Sequence, residues 1–180
     1  MDNKKIVVAA ANGFIGANLC RHFSMQGHEV YAILRKDSNL WRLNGIEENL
    51  QCIFISEFNS SSLSEICKKI KPEVVLNATV AEQKEFLTNP DGNWNSNFMP
   101  SVKFVNHLRG LSVEKFVSAG SSFKCGKVCS SNNLLSEGLK CRPVSEYAIP
   151  KLMQSEYLKL VSSLYSLDII VLRNFYVSVA

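Results

Sequence analysis

Short, continuously apolar runs alternate along the whole chain with longer stretches whose apolar positions follow helical spacing. The runs predict buried strands, because strands covered on both faces are apolar throughout rather than alternating with polar residues. The predicted strands cover residues 6–9, 30–34, 52–55, 74–78, 115–119 and 169–172. The predicted helices cover residues 13–26, 59–71, 95–110 (interrupted near Pro100) and 147–164. This alternation predicts an α/β fold, a doubly wound parallel sheet in a three-layer α/β/α arrangement.

The first predicted helix places Ile15, Leu19, His22 and Phe23 on one side, and Gly27 follows it as a stop signal.

Residues 124–146 form the longest segment without a clear period. Long irregular segments in compact domains are usually functional. This one lies between Ser121 and Tyr147, and we expect it to border the entrance for a substrate.

Length, composition and charge narrow the functional classes. The 180 residues suit one domain, and 46% hydrophobic with 20% charged residues is typical of a globular soluble protein. The net charge of +4 includes no basic run with interleaved aromatics, so we expect no nucleic-acid partner. No apolar stretch approaches the roughly 20 residues that span a bilayer, and the N-terminus does not look like a signal peptide. We therefore expect no membrane association and a cytoplasmic location.

Six cysteines lack both C-x-x-C spacing and a histidine at zinc-ligand spacing. We expect no metal site and mostly small, buried thiols. Cys125 is the expected exception, an exposed thiol near the reaction centre.

A glycine-containing turn, residues 10–16, follows the first strand and opens the first helix. Gly16 would let helix and strand pack closely, and Gly13 would let the backbone approach a pyrophosphate at the helix N-terminus. Ala10 stands where a glycine is usual, at a cost of about 1 kcal/mol or more if φ is positive there. The predicted cofactor-binding residues here are Ala10, Asn12, Gly13, Phe14, Ile15 and Gly16. The alternative is a tight turn that binds no ligand.

The second strand ends in Arg35 and Lys36 rather than in a carboxylate that would accept bonds from the ribose 2′-OH of NAD. Because arginine can hold a 2′-phosphate bidentately, we predict NADP in preference to NAD, with NAD still possible. The alternative is that both side chains are simply exposed to solvent at the end of the strand and bind no ligand.

Tyr147 and Lys151 stand four residues apart, one helical turn, so their side chains share a face. An ammonium near the phenol would favour the phenolate, and we expect the pKa of Tyr147 to be lowered. With Ser121 upstream, these residues predict proton transfer coupled to a nicotinamide cofactor. Ser122 is a rival for the serine role, and an ordinary exposed helix pair is the alternative for the other two.

The chain resembles the extended short-chain dehydrogenase/reductase family, in its NAD-dependent epimerase/dehydratase group, which acts largely on nucleotide sugars. The resemblance lies in residues 12–16, 72–79, 116–122 and 172–175, with Asn97, Glu137 and Pro143 in family order. It implies a Rossmann domain in which Tyr147 moves a proton, Lys151 bonds the nicotinamide ribose and Ser121 orients the reacting oxygen. It also implies further residues against the cofactor: Glu57, Phe58, Asn77, Ala78, Thr79 and Asn97.

Departures from the family pattern shape the functional prediction. Cys125 stands where a tyrosine usually precedes the glycine, and the chain stops after the sixth strand. We expect residues 1–180 to be one NAD(P)-binding domain that lacks most of the C-terminal substrate lobe. Ser122 replaces the acidic residue usual in 4,6-dehydratases, so a reductase or epimerase of a nucleotide-activated sugar is preferred.

Two other functions stay open. One is a non-catalytic or truncated cofactor-binding module that needs a second chain or lobe, and the other is a reductase of a non-sugar carbonyl. The two long helices also suggest a homodimer.

Overall fold

A computed structural model of the chain describes residues 3–80, 90–126, 136–175 and 177. Its centre is a six-stranded, all-parallel sheet with the strand order β3-β2-β1-β4-β5-β6. This is the order of a doubly wound Rossmann fold, in which the chain winds outward from β1 in both directions. The predicted fold class is confirmed. The strands are β1 (Lys5–Ala9), β2 (Glu29–Arg35), β3 (Leu50–Ile55), β4 (Val74–Asn77), β5 (Lys115–Ala119) and β6 (Ile169–Leu172).

The α-helices of the described residues are α1 (Phe14–Met25), α2 (Ser60–Ile70), α3 (Pro90–Asn97), α4 (Met99–Leu108) and α5 (Ala148–Tyr165). The interruption predicted near Pro100 is present, because the chain forms two helices there, α3 and α4, with Phe98 between them. Pro100 lies in the first turn of α4, where a missing N–H breaks no intrahelical bond. None of the helices in the described ranges is long and apolar enough to cross a membrane.

Two hydrophobic cores lie on opposite faces of the sheet. On β1, Val7 and Ala9 belong to one core, while Ile6 and Val8 belong to the other. The first core also contains Phe104 of α4 and residues of α2 and α5, and the second contains residues of α1. Residues 6–9 of β1 are all apolar and buried because both faces of the strand are covered, as the sequence predicted.

The side of α1 that faces the sheet is lined by small residues. Gly16, Ala17 and Cys20 are buried, whereas Leu19 and Phe23 are only partly buried and His22 is exposed. Small side chains along the contact line let the helix lie close to the sheet. The larger apolar residues pack at the margin of that contact.

Candidate functional site

A cavity of about 1080 Å³ runs along the sheet edge at which the parallel strands end. Its volume is at the upper end of the roughly 300–1,000 Å³ typical of small-molecule sites. It crosses the point between β1 and β4 where the winding direction reverses, the usual ligand position in such sheets. The predicted site residues that line it are Ala10, Asn12, Gly13, Phe14, Ile15, Gly16, Arg35, Phe58, Ala78, Thr79, Ser121, Tyr147 and Lys151.

Four predicted cofactor residues lie outside the cavity wall. Lys36 and Glu57 are exposed side chains, and Asn77 and Asn97 are buried beside the cavity. The Asn97 amide donates to the carbonyl oxygen of Asn93 at 3.1 Å and to its side-chain oxygen at 2.6 Å. The sequence-based roles of all four in cofactor binding stay predictions.

Arg42 lines the cavity although no sequence pattern pointed to it. It belongs to a short 3₁₀ helix, Trp41–Leu43, in the irregular connection between β2 and β3. Its guanidinium lies 4.2 Å from the centroid of the Trp41 ring, which holds the charge in place. Arg42 is therefore a second arginine, besides Arg35, in the wall of this cavity.

The turn before α1 leaves backbone donors directed to the cavity. Gly13 is the N-cap residue of α1, and no side chain accepts a bond from the first helical N–H groups. Such groups have no intrahelical partner, and together with the helix dipole they favour an anion. The amide of Gly13 donates to the carbonyl oxygen of Ala10 at 3.0 Å and closes the turn. This end of the cavity fits a pyrophosphate.

Ala10 adopts a φ of 56°, the left-handed conformation in which alanine is strained by about 1–2 kcal/mol. Ala10→Gly is therefore expected to raise the free energy of unfolding by about 0.5–1 kcal/mol, after the greater flexibility of glycine in the unfolded chain is subtracted. Urea denaturation at constant pH measures this difference.

Ala11→Gly is the matched control, because Ala11 is fully buried and does not have a positive φ. It should lower stability by roughly 1 kcal/mol through the lost methyl group and the added chain flexibility. Destabilisation of similar size at both positions would contradict the assigned strain at Ala10.

Lys151 is buried at the other end of the cavity, with 1% of its surface exposed. Its ammonium donates to the carbonyl oxygen of Ala119 at 3.0 Å and to that of Thr79 at 3.4 Å. Burial, aided by the positive charge of Lys124, lowers the pKa of Lys151 from 10.5 to about 7. The charge of Lys151 is thus poised to change near neutral pH.

Tyr147 lies immediately before α5, and its ring lines the cavity. The helix start is closed by Ser145, whose hydroxyl and carbonyl oxygens accept from the amide of Ala148. Pro150 falls in the first turn of α5, where it breaks no helical bond. Tyr147 and Lys151 therefore face the same cavity despite the proline between them.

The predicted lowering of the pKa of Tyr147 is wrong for this structure. Burial raises the pKa of the phenol, and a hydrogen bond with Ser121 opposes that rise without cancelling it. The ammonium of Lys151 is directed at two carbonyl groups. The phenol of Tyr147 is accordingly protonated at neutral pH.

Ser121 rather than Ser122 lies in the cavity wall. Its side-chain oxygen accepts from the amide of Phe123 at 3.2 Å and caps the short 3₁₀ helix Ser122–Cys125. Together with its hydrogen bond to Tyr147, this contact holds the serine hydroxyl beside the phenol.

A buried polar network supports the carbonyl group that Lys151 contacts. The amides of Asn77 and Gln154 both donate to the hydroxyl of Ser101, at 2.9 and 2.8 Å. The hydroxyl of Thr79 donates to the side-chain oxygen of Asn77 at 2.7 Å. Because the carbonyl oxygen of Thr79 also accepts from Lys151, the network helps to hold one of the two acceptors of the lysine in position.

The lowered pKa of Lys151 predicts a pH-dependent difference in stability from Lys151→Met. Between about pH 7 and 10.5 the unfolded chain binds the lysine proton more tightly than the folded chain, so the wild type gains stability as pH rises. From pH 7 to pH 9 this gain relative to the variant is expected to be about 2 kcal/mol. Urea unfolding of both proteins at the two pH values measures it, and parallel pH profiles would contradict the assigned pKa.

Cys125 is 4% exposed, so its prediction as an exposed thiol is wrong. The sulfur atom of Cys125 lies 3.6 Å from the sulfur atom of Cys141.

Comparison with known proteins agrees with this architecture. A model of the NAD dependent epimerase/dehydratase family matches residues 6–178. A UDP-glucose 4-epimerase from Mycolicibacterium smegmatis is 26% identical over 169 residues, which are 91% of this chain and 53% of that protein. The chain thus spans about half the length of the curated relatives it matches.

Two solved structures share the fold. An epimerase from Methanothermobacter thermautotrophicus superposes with a TM-score of 0.83 at 21% identity, covering 96% of this chain and 51% of that one. UDP-glucose 4-epimerase from Brucella ovis, crystallised with NAD, superposes with a TM-score of 0.81 at 18% identity, covering 96% and 52%.

Proposed function

Since the chain belongs to the NAD-dependent epimerase/dehydratase family, we propose that its cavity binds an NAD(P)-type dinucleotide and supports reduction or epimerisation of a nucleotide-activated sugar. The observation that carries the proposal is the continuity of one cavity from the turn before α1 to Ser121, Tyr147 and Lys151. We further propose that residues 1–180 form one cofactor-binding domain.

The two ends of the cavity suit the two ends of a dinucleotide. The free N–H groups of α1 would hold the pyrophosphate, and Arg35 and Arg42 would lie toward the adenosine ribose. When bound, the nicotinamide supplies or accepts a hydride.

Three side chains would handle the sugar hydroxyl. Tyr147 is a protonated phenol at neutral pH, the form that donates a proton to a carbonyl oxygen as that oxygen becomes a hydroxyl. In the oxidative direction the proton would return to Tyr147 from the hydroxyl. Ser121 would orient the reacting oxygen, and Lys151 would adjust the local charge.

The choice between NAD and NADP is tested by Arg35. The Brucella ovis relative was crystallised with NAD, which favours NAD, whereas the two arginines in this cavity favour a 2′-phosphate. The sequence-based preference for NADP stays a prediction, and under it NADPH binds at least about tenfold more tightly than NADH. Arg35→Asp should reverse the order, because a carboxylate accepts from the ribose hydroxyls and repels a phosphate. Fluorescence titration with both nucleotides gives the ratio, and equal or tighter NADH binding by the wild type would exclude the NADP preference.

Turnover is tested with the 180-residue chain, NAD or NADP, and a panel of UDP-linked hexoses, with the products separated by chromatography. A UDP-sugar is the first choice because the Mycolicibacterium relative is named as a UDP-glucose 4-epimerase. Conversion of one epimer to the other, or reduction of a 4-keto sugar nucleotide, supports the proposal. If the chain binds neither NAD nor NADP, the proposal is contradicted.

A second candidate is a cofactor-binding module that needs another chain or lobe for activity. It is favoured by one observation, the match to about half the length of the curated relatives. This module would bind NAD(P)H and convert no sugar nucleotide by itself. The predicted homodimer also stays a proposal, and α5 offers an exposed apolar stripe for it: Ile149, Met153, Leu160 and Leu164.

A further inference from the structure

Two cysteine side chains lie in contact beside the cavity wall that carries Ser121. The sulfur atoms of Cys125 and Cys141 are 3.6 Å apart. A disulfide bond has sulfur atoms about 2.05 Å apart, so the two atoms need to approach by about 1.5 Å. Rotation about the Cα–Cβ bonds of the two cysteines can supply an approach of this size.

The backbone itself holds the pair together. Gly126 follows Cys125, and Arg142 follows Cys141. A methyl group added to Gly126 would lie 1.9 Å from the carbonyl oxygen of Arg142, so the two backbone segments are in direct contact there. The proximity of the thiols therefore rests on main-chain packing as well as on their rotamers.

Two cations, Lys124 and Arg173, lie near Cys125. Lys124 is 3% exposed and donates to the hydroxyl of Ser155, and none of the ion pairs seen in the described ranges includes it. Burial and the contact with Cys141 raise the pKa of Cys125, whereas the charges of Arg173 and Lys124 oppose that rise. Nearby cations favour the thiolate, which is the reactive form of cysteine.

We propose that Cys125 and Cys141 form a reversible disulfide by exchange with a small-molecule disulfide such as glutathione disulfide. Cys141 is the half-buried member and is the one that solvent reaches first. Its thiolate attacks the external disulfide, a mixed disulfide forms, and one glutathione thiolate leaves. The thiol of Cys125 then loses its proton and displaces the second glutathione thiolate. Two protein thiols are oxidised, and one external disulfide is reduced to two thiols.

The resulting bond would join the segment just after Ser121 to the segment just before Tyr147. This proposal concerns a modification site and does not depend on which sugar the cavity accepts.

The test is peptide mapping of the 180-residue chain after equilibration with reduced and oxidised glutathione, acid quenching and alkylation. We expect one cross-linked peptide pair containing Cys125 and Cys141, two hydrogens lighter than the reduced pair and lost on treatment with dithiothreitol. Free thiols at both positions under the most oxidising mixture, or glutathione retained on Cys141, would overturn the proposal.

Matched serine variants separate this pair from the other cysteines. Cys52→Ser alters a half-buried thiol on β3, at the opposite edge of the sheet, and should leave the cross-link intact. Cys129→Ser should also leave it intact, and loss of the cross-link in that variant would assign the bond to a different pair. Cys141→Ser should leave Cys125 as a free thiol, with circular dichroism confirming that the variant is folded.

Discussion

Gly16→Ala is expected to destabilise the protein by roughly 3 kcal/mol and to weaken dinucleotide binding. In an ordinary helix the same substitution stabilises by up to about 1 kcal/mol, because alanine is the better helix former. Here the added methyl group would lie 2.2 Å from the carbonyl oxygen of Ala10, which is main chain and cannot rotate aside. α1 must therefore move away from β1, and its N-terminal N–H groups move with it.

Gly13→Ala is the matched comparison, since its added methyl group would meet the same carbonyl oxygen at 3.2 Å. A shift of a few tenths of an ångström accommodates that contact, so the loss of stability should be well below that of Gly16→Ala. Urea denaturation measures stability, and NADH and NADPH titrations measure binding. A Gly16→Ala protein as stable as the wild type would show that the helix does not pack on the turn as described.

The strands and the glycine turn could be predicted because their signals are local. A strand covered on both faces is apolar along its buried length, as residues 6–9 of β1 are, and the short length of such a run favours a strand over a helix. The close approach at Gly16 was predictable for the same reason, because the turn and the helix that require it are adjacent in sequence. Within that turn, Ala10 stands where a glycine is usual. Its φ is positive, which is the condition under which the sequence predicted a cost in stability.

The surroundings of the reaction centre could not be predicted, because they depend on groups that are distant in sequence. Lys151 donates to the carbonyl group of Thr79, just after β4, and to that of Ala119, the last residue of β5, and a carbonyl group carries no sequence signal. The helical spacing placed Tyr147 and Lys151 on one face but could not show that the ammonium donates to two carbonyl groups. Burial then raises the pKa of Tyr147 and lowers the pKa of Lys151.

Arg42 and the pair Cys125–Cys141 lie in segments without any period, where the sequence offers no rule for position. Arg42 reaches the cavity because pairing of β2 with β3 folds the connection between them back over the strand ends. The two cysteines meet because Gly126 allows its backbone to touch that of Arg142.

Tyr147→Phe is expected to lower turnover of a sugar nucleotide by about 10²–10⁴-fold while leaving dinucleotide affinity unchanged. The substitution removes the hydroxyl that would exchange a proton with the substrate and retains the ring that lines the cavity. A loss of this size corresponds to about 3–5 kcal/mol in the activation free energy. Steady-state kinetics with the most active nucleotide sugar, together with NAD(P)H titration, measure both quantities.

Tyr157→Phe is the control for this substitution, because Tyr157 lies on α5, the helix that Tyr147 immediately precedes, and its hydroxyl contacts Asn106 at 3.4 Å, away from the cavity. It likewise removes one phenol oxygen and should leave turnover unchanged. If Tyr147→Phe also retained full turnover, another group would have to supply the proton, and the role of the cavity would be reduced to cofactor binding. If instead both variants lost activity equally, the cause would be a general effect on α5 rather than proton transfer. Only a loss confined to Tyr147, with dinucleotide binding intact, assigns the chemistry to the phenol that Ser121 contacts.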